Sequence, residues 1–388
     1  MPALTYRPEL VRAFADRFSA GEGFATINEA RQLAAAILGE PVHPGTALAK
    51  QVDEAVEAGA VRVARRLVQT AETPQHAYAQ LVDLYQQQPA LTVRSSTSVL
   101  QQAYSTPLPI AYLAATLAGI DGEKAVYEPT AGHGVLLLAV NPANATVNEL
   151  NPERVADLRD QGYDVRDFDA LTYIPDRLHD VVIANPPFGS LQDATGATRT
   201  FEIQAGADVL RTSQIDQVIA LNALKAMKRD GRAVLILGGK LSDDETKRSD
   251  RYNSRASRAF YYTLYRHFNV TQHLSIWGDL YRKQGAGFPI DLIQIQGRGQ
   301  SQRLLPAVAV PRIYKSFDQL GVLLDEFLLQ ESPRLGSADG ATPAGRAGTR
   351  ARDRDRQQRA LSGAAIAVCS HVKYSSSSEQ TSFVRHPS

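Results

Sequence analysis

The chain has a single cysteine, Cys369, among its 388 residues. One thiol cannot form a disulfide framework or supply a multi-cysteine zinc or iron–sulfur site. No apolar run approaches the roughly 18–20 residues that a membrane span needs. Arg7 and Glu9 interrupt the apolar residues at the start, unlike in a signal peptide. The sequence therefore predicts a soluble, cytoplasmic protein with no metal site and no membrane contact.

Net charge is almost absent as well, because 42 Lys and Arg offset 41 Asp and Glu to leave +1. Such a balance argues neither for nor against a nucleic-acid partner, since local patches decide that binding. Hydrophobic residues make up 44% of the chain, enough for a sizeable core. The composition excludes a collagen-like or wholly disordered protein.

Three segments differ in pattern. Residues 1–91 carry apolar positions at helical spacing, which predicts a small helical N-terminal region. From 92 to 330, β-rich runs alternate with helical ones, which is typical of an α/β fold with a mostly parallel sheet covered by helices on both faces. The runs 270–276 and 291–295 have only a loop between them, which favours an antiparallel strand pair at one end of the sheet. Residues 331–388 are rich in Arg and Ser and are expected to form a disordered tail.

A glycine turn lies in the segment AVYEPTAGHGVLLLAV, residues 125–140. We expect a strand to end at Tyr127, a turn to carry Gly132 and Gly134, and a helix to begin near Val135. Glycines let the backbone approach a ligand closely, and a helix N-terminus offers free N–H groups. Such turns occur in nicotinamide, flavin and S-adenosylmethionine sites. Leu137 stands where the dinucleotide fingerprint has its third glycine, which disfavours a nicotinamide site.

Two carboxylates follow the next two predicted strands. Glu149 lies roughly 20 residues after the glycine turn, where a carboxylate can accept both hydroxyls of an adenosyl ribose. Asp169 lies at the end of the following strand and could accept from an adenine amino group. Either residue alone is equally consistent with a surface strand end, so only their combination with the turn indicates a ligand site.

The sharpest signal is the segment DVVIANPPFGS, residues 180–190. A buried strand, 181–184, runs into Asn185, Pro186, Pro187 and Phe188. Two prolines in succession fix φ and cannot donate, so this corner is stiff. The Asn185 amide oxygen can accept hydrogen bonds, and the Phe188 ring offers a face for a planar base.

In this order, EPTAGHG, Glu149, Asp169 and NPPFG resemble the S-adenosylmethionine-dependent amino-methyltransferases, specifically the DNA adenine-N6 group. The resemblance covers about residues 95–300 and is closest to adenine methylases of plasmids and integrative elements, some associated with strawberry-notch-type helicases. The upstream segment Tyr104, Ser105, Thr106 and Pro107 resembles the cofactor motif of that group. The chain lacks a phosphate-binding Gly-x-x-x-x-Gly-Lys-[Ser/Thr] motif, so any helicase would be a separate partner.

The resemblance implies a class I methyltransferase sheet of Rossmann-like topology, S-adenosylmethionine as cofactor, DNA as partner and a monomeric enzyme. The Asn185 side chain and the Pro186 carbonyl would accept the two hydrogens of an exocyclic amino group, while Phe188 would stack on the base. The residues implied around the cofactor are Tyr104, Ser105, Thr106, Pro107, Glu128, Thr130, Gly132 and Gly134, with Glu149 on the ribose and Asp169 on the adenine.

Candidate nucleic-acid contacts are basic residues interleaved with aromatic ones: Lys247, Arg248, Arg251, Arg255 and Arg258, and, in a long loop, Arg282 and Lys283. A solvated helix with an aromatic core stripe explains the first group equally well. Three alternatives to a DNA methyltransferase stay open: methylation of a protein glutamine, methylation of ribosomal RNA, and a non-catalytic nucleic-acid-binding protein that keeps the fold.

Overall fold

The N-terminal region is helical, and threonines begin three of its helices. The helices are α1 (Pro8–Ser19), α2 (Ile27–Leu38), α3 (Ala47–Thr70) and α4 (Pro74–Gln87). The side chains of Thr26, Thr46 and Thr73 accept hydrogen bonds from first-turn N–H groups of α2, α3 and α4. Local sequence signals therefore fix where these three helices begin.

The computed structural model describes residues 6–91, 105–193, 195–240, 242, 244–285, 287 and 289–331. Tyr104 of the predicted cofactor motif and nearly all of the predicted tail lie outside these residues. The described residues belong to one compact unit. None of the helices among them has both the length and the apolar character needed to cross a bilayer.

The described residues after 104 alternate between strands and helices. The strands are β1 (Val126–Glu128), β2 (Ala145–Asn148), β3 (Val165–Arg166), β4 (His179–Ala184), β5 (Phe201–Ala205), β6 (Asp208–Thr212), β7 (Met227–Gly238), β8 (Phe268–Ile276), β9 (Ile290–Arg298) and β10 (Arg312–Tyr314). The helices are α5 (Leu108–Leu117), α6 (Pro152–Asp160), α7 (Ile215–Lys225), α8 (Glu245–Tyr252), α9 (Arg255–His267) and α10 (Phe317–Glu331).

Eight strands form the central sheet in the order β10-β8-β9-β7-β4-β1-β2-β3. Strand β9 runs antiparallel to both β7 and β8, and the other neighbouring pairs are parallel. This confirms the predicted α/β class and the antiparallel pair towards one end. Sequence patterning missed the three-residue edge strand β10 and the separate β5–β6 hairpin.

Both faces of the sheet are covered, because successive side chains of β4 point alternately into two different cores. Val181 and Ile183 join a core shared with the N-terminal helices, while Val182 and Ala184 join a second core with α7 and α9. All four side chains have no exposed surface. A strand buried on both faces reads as a continuous apolar run, which is why β4 was visible in the sequence.

Two predicted helices differ from the observed ones. The helix expected from Val135 is a single 3₁₀ turn, Val135–Leu137. The residues 214–229 have helical spacing, which predicts a helix over this range, but the helix ends at Lys225 because the chain enters β7 at Met227. In both places the apolar residues belong to a turn or a strand that is packed in the core. Such residues are apolar because they are buried, and not because they lie on one face of a helix.

Close contact between α1 and α3 depends on Gly59. A Cβ built there would lie 3.0 Å from the Ala15 nitrogen and 3.1 Å from the Phe14 Cβ. We predict that Gly59→Val forces the helices apart and lowers the free energy of unfolding by about 1–3 kcal/mol. Guanidinium unfolding monitored by circular dichroism measures this value. Gly122→Val, whose Cβ would meet nothing within 4 Å, is the control; equal losses in both variants would contradict the packing account.

Candidate functional site

A cavity of about 500 Å³ opens at the carboxyl ends of β1, β2 and β4. Parallel strands end at the same edge, so the loops that follow them converge there. The predicted site residues that line it are Ser105, Thr106, Glu128, Thr130, Gly132, Glu149, Asp169, Asn185 and Pro187. Pro107, Gly134, Pro186 and Phe188 lie next to these residues in the chain but are not part of the lining. The tertiary fold thus gathers segments far apart in sequence around one space.

Asn185 directly follows β4, and its side-chain amide is oriented by one hydrogen bond. Its Nδ2 donates to the Thr106 Oγ1 at 2.7 Å. Its Oδ1 is buried and has no partner among the described residues. A buried carbonyl oxygen without a partner is costly, so this acceptor is available to a ligand N–H.

Two carboxylates at the ends of β1 and β2 differ in their bonding. Glu149 accepts from the Gly132 nitrogen at 2.7 Å and from the Asn151 nitrogen at 2.8 Å. Glu128 is only 1% exposed, and its Oε2 has no partner among the described residues. Burial, and secondarily the charge of Glu149, raise the pKa of Glu128 well above its ordinary value. A cationic ligand beside Glu128 would favour its ionised form.

Gly132 shapes the floor of the cavity. Its φ is +57°, a left-handed conformation that side chains rarely adopt, and a Cβ there would meet nothing within 4 Å. The position therefore leaves open space beside the backbone, where a ligand can approach. The N–H groups of a full helix do not follow, because the chain makes only a 3₁₀ turn.

Asn148, which sequence reasoning missed, ties two of the site loops together. Its Nδ2 donates to the carbonyl oxygens of Pro129 and Phe168, and its Oδ1 accepts from the Phe168 nitrogen. The residue is 1% exposed. An asparagine directly before Glu149, near the end of a predicted strand, was the available signal, since such a side chain can bond loops on either side.

The loop after β3 is open to solvent. Asp169 is exposed, and its Oδ1 accepts from the Leu171 nitrogen at 2.9 Å. Phe168 is 51% exposed and lines the same cavity, with its ring centroid 4.9 Å from that of Tyr173. The predicted adenine contact thus lies at the rim of the cavity, beside an exposed aromatic ring.

His133 lies in the glycine turn and lines the cavity, but both of its ring nitrogens bond to carboxylates of the protein. Its Nδ1 is 2.8 Å from Asp157 Oδ2, and its Nε2 is 3.0 Å from Glu54 Oε2. Burial alone would lower its pKa, but the two carboxylates raise the pKa of His133 to about 10. Arg154 donates to the same Glu54 oxygen at 2.7 Å. His133 is therefore a buried cation that fixes the turn, and the close grouping of His133 with Glu54 is an ion-pair network.

Helix α3 forms one wall of the cavity, a role that the sequence did not reveal. Lys50, Glu54 and Glu57 line the space, and the Ser105 hydroxyl donates to Glu57 Oε2. On its other side, Arg62 of α3 donates to Asp157 Oδ1 at 2.7 Å. The N-terminal helices are thus part of the site, and the Arg62 guanidinium is bonded within the protein.

Phe188 and Asp216 line a second cavity of about 140 Å³. Asp216 lies in the first turn of α7, whose Ile215 nitrogen donates to the Gly189 carbonyl at 2.8 Å. That bond holds the start of α7 against the end of the Asn-Pro-Pro-Phe segment. Phe188 therefore lines the small cavity, whereas Asn185 lines the large one.

The predicted nucleic-acid contacts differ in exposure, and some of the exposed ones have local partners: Lys247 lies 3.7 Å from Asp244, and Arg258 donates to Asn253 at 3.5 Å. Lys247, Arg251, Arg255, Arg258 and Arg282 are exposed. Arg248 was expected among the contacts, but it is 2% exposed and donates to the Pro311 carbonyl at 2.5 Å and to Ser275 Oγ at 3.1 Å. Its guanidinium belongs to the core, so the expectation for Arg248 is wrong.

Lys283 is a second predicted contact whose charged group bonds within the protein. Its Nζ donates to the Gln88 carbonyl at 2.8 Å and to the Gln86 carbonyl, which anchors the end of α4. The aromatic residues between the arginines are buried as well: Tyr252 and Tyr261 both donate to the buried Asp291 at 2.9 Å. The aromatic stripe is therefore core, as the alternative interpretation of this segment expected.

No protein-family model and no curated protein sequence matches the chain. Among solved structures, it is similar to a protein from Listeria monocytogenes described as a candidate class I S-adenosylmethionine-dependent methyltransferase (12% identity, TM-score 0.43, 83% of this chain and 95% of that one). It is also similar to the modification subunit of a candidate type I restriction enzyme from Vibrio vulnificus (10% identity, TM-score 0.44, 85% and 91%). The N-methyltransferase NodS of Bradyrhizobium japonicum, solved with S-adenosyl-L-homocysteine, has 13% identity and a TM-score of 0.30 over 50% and 89%. At such values the substrate or partner of these proteins does not transfer to this chain.

The His133 network predicts a dependence of stability on pH. Because the pKa of His133 is raised from about 6.5 when unfolded to about 10 when folded, its stabilisation is complete below pH 6.5. The stabilisation is lost as the pH rises through 10. The unfolding free energy of the wild type minus that of His133→Gln should therefore decrease as the pH rises from 6.5 to 10. Urea unfolding at several pH values measures this difference. The exposed His76→Gln is the control, and a difference that is flat across the range would contradict the network.

Proposed function

We propose that this protein transfers a methyl group from S-adenosylmethionine to the exocyclic N6 amino group of adenine in DNA. One observation carries the proposal: the buried Asn185 Oδ1 has no partner among the described residues, while the Asn185 nitrogen is held by Thr106. An exocyclic amino group supplies the N–H donors that such an acceptor requires. The stiff proline corner keeps the acceptor in place while the nitrogen reacts.

The large cavity fits the proposed cofactor in size and in charge. Its volume of about 500 Å³ lies within the roughly 300–1,000 Å³ of small-molecule sites. Gly132 leaves open space beside the backbone, and Glu128 has a buried oxygen without a described partner. Glu128 would hold the cationic part of the cofactor, Glu149 the ribose hydroxyls, and Asp169 and Phe168 the adenine at the rim. When bound, S-adenosylmethionine supplies a methyl group made electrophilic by its sulfonium centre.

The chemistry assigned to the chain is positioning and hydrogen bonding. Asn185 Oδ1 and the Pro186 carbonyl would accept the two hydrogens of the acceptor amino group. These bonds draw the nitrogen away from conjugation with its ring and make its lone pair available. The same oxygens stabilise the positive charge that develops on the nitrogen as the bond to the methyl carbon forms and the bond from that carbon to sulfur breaks. The nitrogen would then lose one proton to water, and S-adenosyl-L-homocysteine would be released as a neutral thioether. A base buried in a duplex cannot reach this corner, so it must be unpaired or swung out first.

The exposed cations of α8 and α9 are the proposed track for the DNA backbone. Lys247, Arg251, Arg255 and Arg258 lie on one stretch of chain, in two consecutive helices. The core contacts of Arg248 and Tyr252 fix α8 on the sheet, and the bond from Tyr261 to Asp291 fixes α9, so the exposed side chains project from a rigid base. Phosphate contacts from such residues supply affinity without sequence information.

Replacing Asn185 tests the proposal. Asn185→Ala should lower methyl transfer to DNA about 100- to 1,000-fold, because it removes an acceptor used in the transition state. The cofactor dissociation constant should change less than about threefold, since Asn185 is not assigned to the cofactor. Transfer from radiolabelled cofactor, followed by nucleoside digestion and chromatography, should identify N6-methyldeoxyadenosine in the wild type.

The exposed Asn28→Ala on α2, which is not part of the cavity lining, is the matched control and should keep wild-type transfer. Persistent transfer by Asn185→Ala would refute the assigned mechanism. Methylation of RNA or of a protein glutamine, with none in DNA, would refute the substrate. DNA binding without any transfer by the wild type would favour the non-catalytic alternative.

A charge reversal tests the DNA track. Arg255→Glu/Arg258→Glu should weaken DNA binding, and the slope of log affinity against log salt should fall in magnitude by about 2, since each phosphate that the protein neutralises adds roughly 0.9 to it. Fluorescence anisotropy at several salt concentrations measures the slope. Reversal of Arg166 and Arg211, which are exposed on β3 and β6, is the control. An unchanged slope in the α9 variant would place the DNA elsewhere.

A further inference from the structure

The small cavity beside the proline corner brings an aromatic ring and a carboxyl group together. A Cβ built on Gly238 would lie 4.0 Å from Phe188 Cγ and 3.6 Å from Asp216 Oδ2. Glycine at this position therefore keeps the space between ring and carboxyl open. A volume of about 140 Å³ suits one small planar group.

The Asp216 carboxyl group is only half used by the protein. Asp216 is 6% exposed, and its Oδ2 accepts from the Gly238 nitrogen at 3.2 Å. Its Oδ1 is buried without a partner among the described residues. Like Asn185, Asp216 therefore keeps one polar atom for a ligand, and it does so on the Phe188 side of the same corner.

The surroundings of Asp216 make its carboxyl easier to protonate. Burial raises its pKa to about 6, although the Gly238 N–H and the charge of Lys240 oppose that shift. Of the residues described around this cavity, only Asp216, Lys240 and Tyr261 ionise. The Tyr261 hydroxyl is committed to Asp291 at 2.9 Å, and Asp291 lies behind Gly239. A planar ligand that excludes water would favour the protonated carboxyl further.

Building on the proposed function, we propose that Asp216 is a specificity-determining residue: the acceptor adenine lies in this cavity against Phe188, and the Asp216 carboxyl donates a hydrogen bond to a ring nitrogen flanking the amino group. Asn185 and Pro186 use both amino hydrogens, so the remaining polar atoms of that edge are the acceptors N1 and N7. A protonated carboxyl is a donor to such an atom. Guanine carries an N–H at N1 and an oxygen at C6, so it has no amino group there to offer Asn185.

The test compares Asp216→Ala and Asp216→Asn on DNA made with adenine, 1-deazaadenine or 7-deazaadenine. Asp216→Ala should lower kcat/KM on adenine DNA about tenfold or more, because the ring nitrogen loses its donor. Asp216→Asn, whose amide can donate, should retain at least about five times more activity than Asp216→Ala. The wild type should lose about tenfold on one of the deaza substrates, and Asp216→Ala should lose little more on that substrate, which is the signature of a direct contact.

The matched control is Asp318→Asn, an exposed aspartate in the first turn of α10, which should match the wild type on all three substrates. Equal activity of Asp216→Ala and wild type, or an equal deaza penalty in both, would overturn the contact. Asn and Ala variants that lose the same activity would overturn the donor role. Should Asp216→Ala fail to fold, a wild type indifferent to both deaza substrates would still refute the proposal. Absence of adenine methylation by the wild type would instead refute the proposed function itself.

Discussion

One hydrogen bond, from Asn185 Nδ2 to Thr106 Oγ1, decides what the large cavity can do. A primary amide presents a donor and an acceptor, and it can rotate to exchange them. Thr106 begins the segment that leads into α5, 79 residues before Asn185, and its hydroxyl fixes the nitrogen. The oxygen is then left buried, with no partner in the described part of the chain. Because Pro186 and Pro187 stiffen the corner that follows, the backbone cannot shift to bring this oxygen to another donor.

A second constraint is an ion-pair network that forms part of the cavity wall. Glu54 and Asp157 are neutralised by Arg154, Arg62 and the imidazolium of His133. This network joins α3 to the glycine turn and leaves Glu128 and Glu149 as the acidic groups at the strand ends. Because cations neutralise Glu54 and Asp157, these two carboxylates do not add to the repulsion between Glu128 and Glu149, and the cavity can keep its acidic groups. Through α3, the N-terminal helices form part of this wall.

The corner after β4 is used from both sides. On one side, Asn185 and Pro187 line the large cavity; on the other, Phe188 lines the small one with Asp216. Each side keeps a buried polar atom without a described partner. In the proposed reaction, the large cavity would hold the cofactor and the small one the planar acceptor, so that the two molecules meet at this corner.

The sequence by itself determined the alternation of strands and helices, the glycine turn and the Asn-Pro-Pro-Phe corner, because these depend on local periodicity and backbone restriction. It could not tell that Arg248 is buried, that His133 is an ion-paired cation, or that α3 walls the cavity. The short strand β10 also left no local pattern. These features depend on partners distant along the chain, such as Pro311 for Arg248 and Glu54 for His133. Only the tertiary structure sets which charges meet, because Coulomb and hydrogen-bond energies depend on distance in space and on burial.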